Sequence, residues 1–264
     1  MPIREKRYEC GEYLEVSIYP ISKVEQKKSR AKKRKESRKE QKNLNAKNSK
    51  RNLRRRLHEN FTTNDYIGHF TFSDSNLPQT EEEAIKEKNN LMRRIRNYRK
   101  KHGLEDLKYI AVLEYRDEDK KDGRTKKRVH FHIVLSGGMD RNVLEDLWGK
   151  GRAEVRRLQP DENGFEGLAN YISKDPKGKK RWSQSRNIII PEPQINDYKI
   201  SRKKYVDLIR NGDRAEYEKM YPGYTYTKQR IYHNPEDGLT YIYIKMRRRL
   251  DYEEGHRHKR VSYR

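Results

Sequence analysis

Cysteine is nearly absent from this chain: Cys10 is the only one among 264 residues. A single thiol makes no intramolecular disulfide and no cysteine-based zinc site, which fits a reducing compartment. Long apolar runs are missing too. No stretch approaches the roughly 20 apolar residues of a membrane span, and Met1-Pro2-Ile3-Arg4-Glu5-Lys6 lacks the apolar core of an export signal. A soluble, cytoplasmic protein with no membrane partner is expected. Hydrophobic residues make up only 31% of the chain, too few for all of it to form one dense core. A Gly-x-x-x-x-Gly-Lys-Ser/Thr loop is also lacking, so no fused nucleotide-driven motor is expected.

Positive charge is abundant. Lys and Arg number 64 against 40 Asp and Glu, a net charge of +24. A field of that size attracts polyanions, nucleic acid above all. It names a class of partner and no reaction.

Composition divides the chain into four stretches. Residues 1–22 are an N-terminal strand segment, with Leu14, Val16 and Ile18 alternating as in a strand or hairpin. Residues 23–60 are dominated by Lys, Arg, Gln, Asn and Ser without Gly or Pro. They are expected as an exposed basic helix, partly disordered or ordered on a polyanion. Residues 61–192 read as the globular core, and residues 193–264 as a small β-containing appendage with a basic tail.

Within the core, a strand at 66–73 precedes a helix that a Thr80/Glu83 capping box starts and Gly103 ends. A strand at 108–115, a charged hairpin tip at 116–127 and a strand at 129–135 follow. Helices at 141–148 and 165–173, with strands at 152–158 and 187–190, complete the set. That order predicts an α+β fold: an antiparallel sheet with helices mainly on one face.

Chemistry concentrates in His130-Phe131-His132. Residues two apart on a strand share a face, so both imidazoles point one way and Val129, Phe131, Ile133 and Leu135 the other. Glu114 closes the partner strand of the hairpin, about 4.8 Å away across the sheet. Two imidazoles and a carboxylate suit Mg²⁺ or Mn²⁺ and leave positions for phosphate oxygen and water. The bland alternative is a histidine pair packed on a sheet face. Asp117, Glu118 and Asp119 in the hairpin tip are poorer third ligands. His69 either faces this site or packs.

Tyr171 and Lys174 are three apart in a helical pattern and share a face. A phenol, titrating near 10, is a poor nucleophile at neutral pH; a neighbouring cation favours the phenolate and holds a phosphate. Trp148, beside Leu144 and Leu147, reads as core. Trp182, among Lys179, Lys180 and Arg181, reads as a base-stacking DNA contact. His256-Arg257-His258 reads as a solvated tail.

Three motifs stand in order: Phe70-Thr71-Phe72-Ser73-Asp74 with Leu77-Pro78, then His130-Phe131-His132, then Tyr171-Ile172-Ser173-Lys174. Over residues 66–190 the set resembles the HUH superfamily of single-strand DNA endonucleases, and more narrowly the single-tyrosine rolling-circle replication initiators of phages and plasmids. The resemblance implies an HUH/RRM-like core. It implies a divalent metal held by His130 and His132 with Glu114 as third ligand, Tyr171 as nucleophile assisted by Lys174, and Phe70, Thr71, Phe72 and Asp74 placing DNA. The implied enzyme nicks and rejoins a single-stranded origin, or an extruded hairpin, through a 5′-phosphotyrosine. The freed 3′-hydroxyl primes a host polymerase, and a host helicase opens the duplex. No second tyrosine adjoins Tyr171 on its helix, which favours single-tyrosine chemistry. Rival readings are a relaxase or transposase of the same superfamily and a non-enzymatic RRM-like module. A two-histidine, one-carboxylate iron oxygenase is a third, and the charge and the Tyr171/Lys174 pair argue against it.

Overall fold

Alternating side chains build two separate five-stranded antiparallel sheets. The computed structural model describes residues 1–21, 39–119, 125–174, 181–234 and 238–249, with the backbone alone for 39–47, 116–119 and 125–127. The elements begin with β1 (Ile3–Cys10), β2 (Tyr13–Pro20), α1 (Lys39–Asn60), β3 (Tyr66–Thr71) and α2 (Glu81–Lys101). Next come β4 (Tyr109–Asp119), β5 (Thr125–Leu135), α3 (Arg141–Asp146), β6 (Ala153–Arg157), α4 (Glu166–Ile172) and β7 (Ser183–Gln184). The chain continues with β8 (Gln194–Ile200), α5 (Arg202–Asn211), α6 (Arg214–Met220), β9 (Tyr224–Asn234) and β10 (Leu239–Arg248). Two compact units result: a mid-chain unit, Arg38–Ile190, and a terminal unit, Met1–Ser37 with Pro191–Arg264.

The mid-chain sheet runs β6-β3-β5-β4-β7. Its period of two splits the core. Phe70, Leu113, Phe131 and Ile133 pack on one face against Leu91, Met92 and Ile95 of α2 and Leu144 of α3. On the other, Ile110, Val112 and Val134 meet Leu53 and Leu57 of α1 and Ala169 and Ile172 of α4. The α+β class holds, with the helices shared between both faces. Thr80 caps α2 by accepting the Glu83 N–H, and Glu83 Oε2 accepts the Gln79 N–H at 2.7 Å.

Two expectations change here. The basic segment is not wholly exposed, because Leu53 and Leu57, one turn apart, are fully buried. Arg54 lies 3.2 Å from Glu166, and His58 Nε2 accepts the Phe165 N–H at 2.9 Å, so the end of α1 docks on α4. Residues 187–190 form no strand; the short β7 pairs with β4 instead. The Asn60 side-chain amide takes the strand partner's place, accepting the Ile189 N–H and donating to the Ile189 carbonyl, both at 2.8 Å.

The terminal sheet runs β8-β1-β2-β10-β9. The N-terminal strands, expected as a segment of their own, are interior strands of a sheet completed by the C-terminal region. Helices α5 and α6, unforeseen in the sequence, cover one face: Tyr205, Leu208, Tyr217 and Tyr221 pack on Val16, Ile18, Ile242 and Ile244. Ser201 and Asp213 cap them, accepting the Lys204 and Glu216 N–H groups.

Candidate active site

Strand register gathers the site. Glu114 stands opposite His130 on the β4–β5 hairpin, and His69 and Thr71 of β3 stand opposite His132 and His130. Directly paired residues point to the same face, so these side chains converge beyond the apolar part of that face. Glu114 Oε2 lies 3.1 Å from His132 Nε2 and 3.5 Å from His130 Nε2. The His69 ring stacks on His132 at 4.8 Å and meets His130 edge-on at 4.9 Å. Ligand nitrogens of the three histidines all fall within 4.8 Å of one another. β4 continues past Glu114 to Asp119, so a long strand rather than a loop holds that carboxylate. The side chains of Asp117, Glu118 and Asp119 lie outside the described residues.

Burial tunes the cluster. His132 is buried, and desolvation, reinforced by His69 and His130, pushes its pKa down to about 3. Its imidazole is therefore neutral at physiological pH, with a lone pair available to a metal. Burial, then His130, lowers His69 as well. Three imidazoles, two of them held neutral by burial, and one carboxylate form a donor set that fits a divalent ion, richer in nitrogen than two histidines and a carboxylate. Strand alternation held the signal for His69: with Phe70 in the core, His69 must share the face of His132.

Tyr171, near the end of α4, approaches this cluster. Its ring centroid is 5.2 Å from that of His132 at an interplanar angle of 73°, and the residue is 63% exposed, leaving the phenol accessible. Lys174 is exposed but lies beyond the helix, past the Ser173 C-cap; its N–H bonds the Tyr171 carbonyl at 3.2 Å. The two are thus related by a closing turn rather than by a helical face.

The first motif needs correction. Phe70 and Phe72 are buried and pack edge-on against Trp148, at 5.6 Å and 5.0 Å, so they anchor the core and present nothing to DNA. Trp148 is core as expected, its Nε1 donating to the Thr71 carbonyl at 2.6 Å. Thr71 faces the histidines, with its Oγ1 donating to the Arg152 carbonyl at 3.0 Å. Asp74 is exposed and lies 2.7 Å from Arg128 Nη2. Gly151 makes this join possible: a Cβ there would meet the Thr71 oxygen and Ser73 nitrogen, while Lys150 and Arg152 carbonyls accept the Ser73 and Thr71 N–H groups.

Trp182 is half-buried, donates to Gln184 Oε1 at 3.2 Å and sits under the Arg56 guanidinium at 5.6 Å. Arg181 is exposed, and Lys179 and Lys180 lie outside the described residues. Two cations escaped the sequence. Glu154 on edge strand β6 pairs with His69, so Arg152 and Arg156, two residues either side, share the histidine face, and both are exposed.

An antiparallel sheet domain carrying a histidine–carboxylate cluster beside an accessible tyrosine is thus the class that fold and site define. Residues 61–176 match the family described as Replication-associated protein ORF2/G2P, consistent with a rolling-circle replication initiator. The matched stretch contains β3 to α4, and with them Glu114, His130, His132, Tyr171 and Lys174. No curated protein and no solved structure gives a significant match. Among the described residues no helix is long and apolar enough to cross a membrane.

Proposed function

We propose that the mid-chain unit is a replication-initiator endonuclease that nicks and rejoins single-stranded DNA at an origin. The observation that carries this reading is the convergence of His130, His132 and Glu114 with the Tyr171 ring 5.2 Å from His132. Tyr171 Oη bonds to phosphorus as the P–O3′ bond breaks; the phenol loses its proton, and the 3′-oxygen leaves as a hydroxyl after gaining one. The product is a 5′-phosphotyrosine, which conserves the phosphodiester bond energy so that rejoining needs no ATP. A divalent ion, Mg²⁺ or Mn²⁺, would be held by His130, His132 and Glu114 with His69 as a further donor, and would supply Lewis-acid stabilisation of charge on the scissile phosphate. Lys174 and the exposed Arg152 and Arg156 would hold flanking phosphates. Thr71 and Asp74 would orient the strand, with Arg181, Lys179 and Lys180 extending the contact. The freed 3′-hydroxyl would prime a host polymerase behind a host helicase.

The test incubates the protein with single-stranded origin DNA in Mn²⁺ or chelator and resolves covalent adducts by denaturing electrophoresis. A metal-dependent adduct that disappears in Tyr171→Phe is expected. An undiminished adduct in that variant would place the nucleophile elsewhere. Cleavage surviving the His130→Ala/His132→Ala double change would remove the metal assignment.

A further inference from the structure

We propose that the terminal sheet carries a second, non-catalytic binding site for single-stranded DNA, built on a tyrosine stack opposite α5 and α6. Register sets Arg4 opposite Tyr19 and Tyr241 opposite Tyr232, and the Ile18–Ile242 pair with the ring stack brings Tyr19 beside Tyr241, forming one row across β1, β2, β10 and β9. The Tyr19 and Tyr241 rings stack at 4.9 Å and 26°, and those of Tyr241 and Tyr232 at 5.1 Å and 9°. All three tyrosines are half-exposed. The stack ends at β9, an edge strand, where a base can extend it over the outer face of Tyr232.

Cations accompany the rings. Arg230, two residues before Tyr232 and thus on the same face, is exposed; Lys6, half-buried, lies at the other end of the same neighbouring row, with Ser17 and the buried Tyr243 between them. Among the described residues, carboxylates on this side are engaged or withdrawn. Asp197 binds Arg4 through both oxygens at 2.8 Å, and Glu15 is buried. A surface pairing stacked aromatic rings with positive charge fits a ligand pairing flat rings with negative charge. Base–aromatic stacking is worth about 1–3 kcal/mol per base and needs no particular sequence. A duplex hides its base faces, so only a single strand uses both features. Cross-strand tyrosine pairs also stabilise sheets without any ligand, and the experiment separates the two roles.

Full-length protein is titrated with a fluorescent oligothymidine of roughly 16 nucleotides lacking an origin, so that no nicking intervenes. Tyr232→Ala and Arg230→Glu, singly and together, are compared with wild type after circular dichroism confirms their fold. The combined change is expected to weaken binding by about fivefold or more, and nicking of a short origin oligonucleotide is expected to stay unchanged. In wild type, 5-iodouracil photocrosslinks should map to β9 or β10. Folded variants that bind like wild type, or crosslinks confined to the mid-chain unit, would overturn the proposal. Equal competition by duplex of the same length would reduce it to charge alone, and stronger binding of oligouridine would exchange DNA for RNA. Loss of nicking in Tyr171→Phe tests the other reading and leaves this one untouched.

Discussion

His132 sits where burial, a candidate metal site and stability meet. With its folded pKa pushed down to about 3 from the ordinary 6.5, the unfolded state takes up a proton that the folded state refuses. The contribution of His132 to stability is therefore complete above about pH 6.5 and is lost as pH falls from there towards 3. Thermal melts of metal-free protein should show Tm falling across that window, and His132→Asn should flatten the slope. His69 makes a separate prediction. As a further nitrogen donor it should tighten metal binding, so His69→Ala is expected to weaken Mn²⁺ affinity by about tenfold or more, read from the EPR signal of free Mn²⁺. His130 and His132 were legible because they interrupt an apolar run at strand spacing. His69 was half-legible: alternation set it opposite Phe70, but choosing between the site and simple packing needed the strand neighbour, His132, that only the fold supplies. Phe70 and Phe72 misled in the opposite way: expected to place DNA, they are buried against Trp148 and fix the strand that carries Thr71.

At the scale of elements, α1 shows how little apolar content docks a helix. Leu53 and Leu57 are fully buried within a segment otherwise rich in cations, and averaging over the segment erased them. Leu57→Ala should cost about 2–5 kcal/mol, measured by chemical denaturation, whereas a conventional surface helix would register almost nothing. The loop before β6 carries a second expectation. Gly151→Ala should lower both stability and nicking although no reacting group is touched, because the added Cβ collides with the Thr71–Ser73 backbone. Nicking at wild-type rate by that variant would detach the loop from the site. The hairpin of β4 and β5, the capped α2 and the existence of α4 were all readable from local pattern. The misplaced strand at 187–190 was not, because Asn60, far away in sequence, satisfies the Ile189 backbone.

At the scale of the whole molecule, the chain's first strands and last strands share one sheet while the mid-chain unit is formed by the residues between. Local patterning reveals strands but not distant partners, so this pairing was invisible in the sequence. Deleting residues 1–21 removes the interior strands β1 and β2. The truncated chain should lose the terminal sheet and keep the mid-chain core, seen as selective loss of hydrogen-exchange protection in 194–248. The same topology imposes a timetable on synthesis. Ile18 and Ile242 are neighbours in the finished sheet, yet at about 5–20 residues per second they leave the ribosome roughly 10 to 45 s apart. Before that interval ends the mid-chain unit has every one of its described strands, while the first hairpin still waits beside an unfilled edge. A nascent chain would thus gain its candidate catalytic centre before its ends are joined, and any chaperone that shields β2 would act in that window.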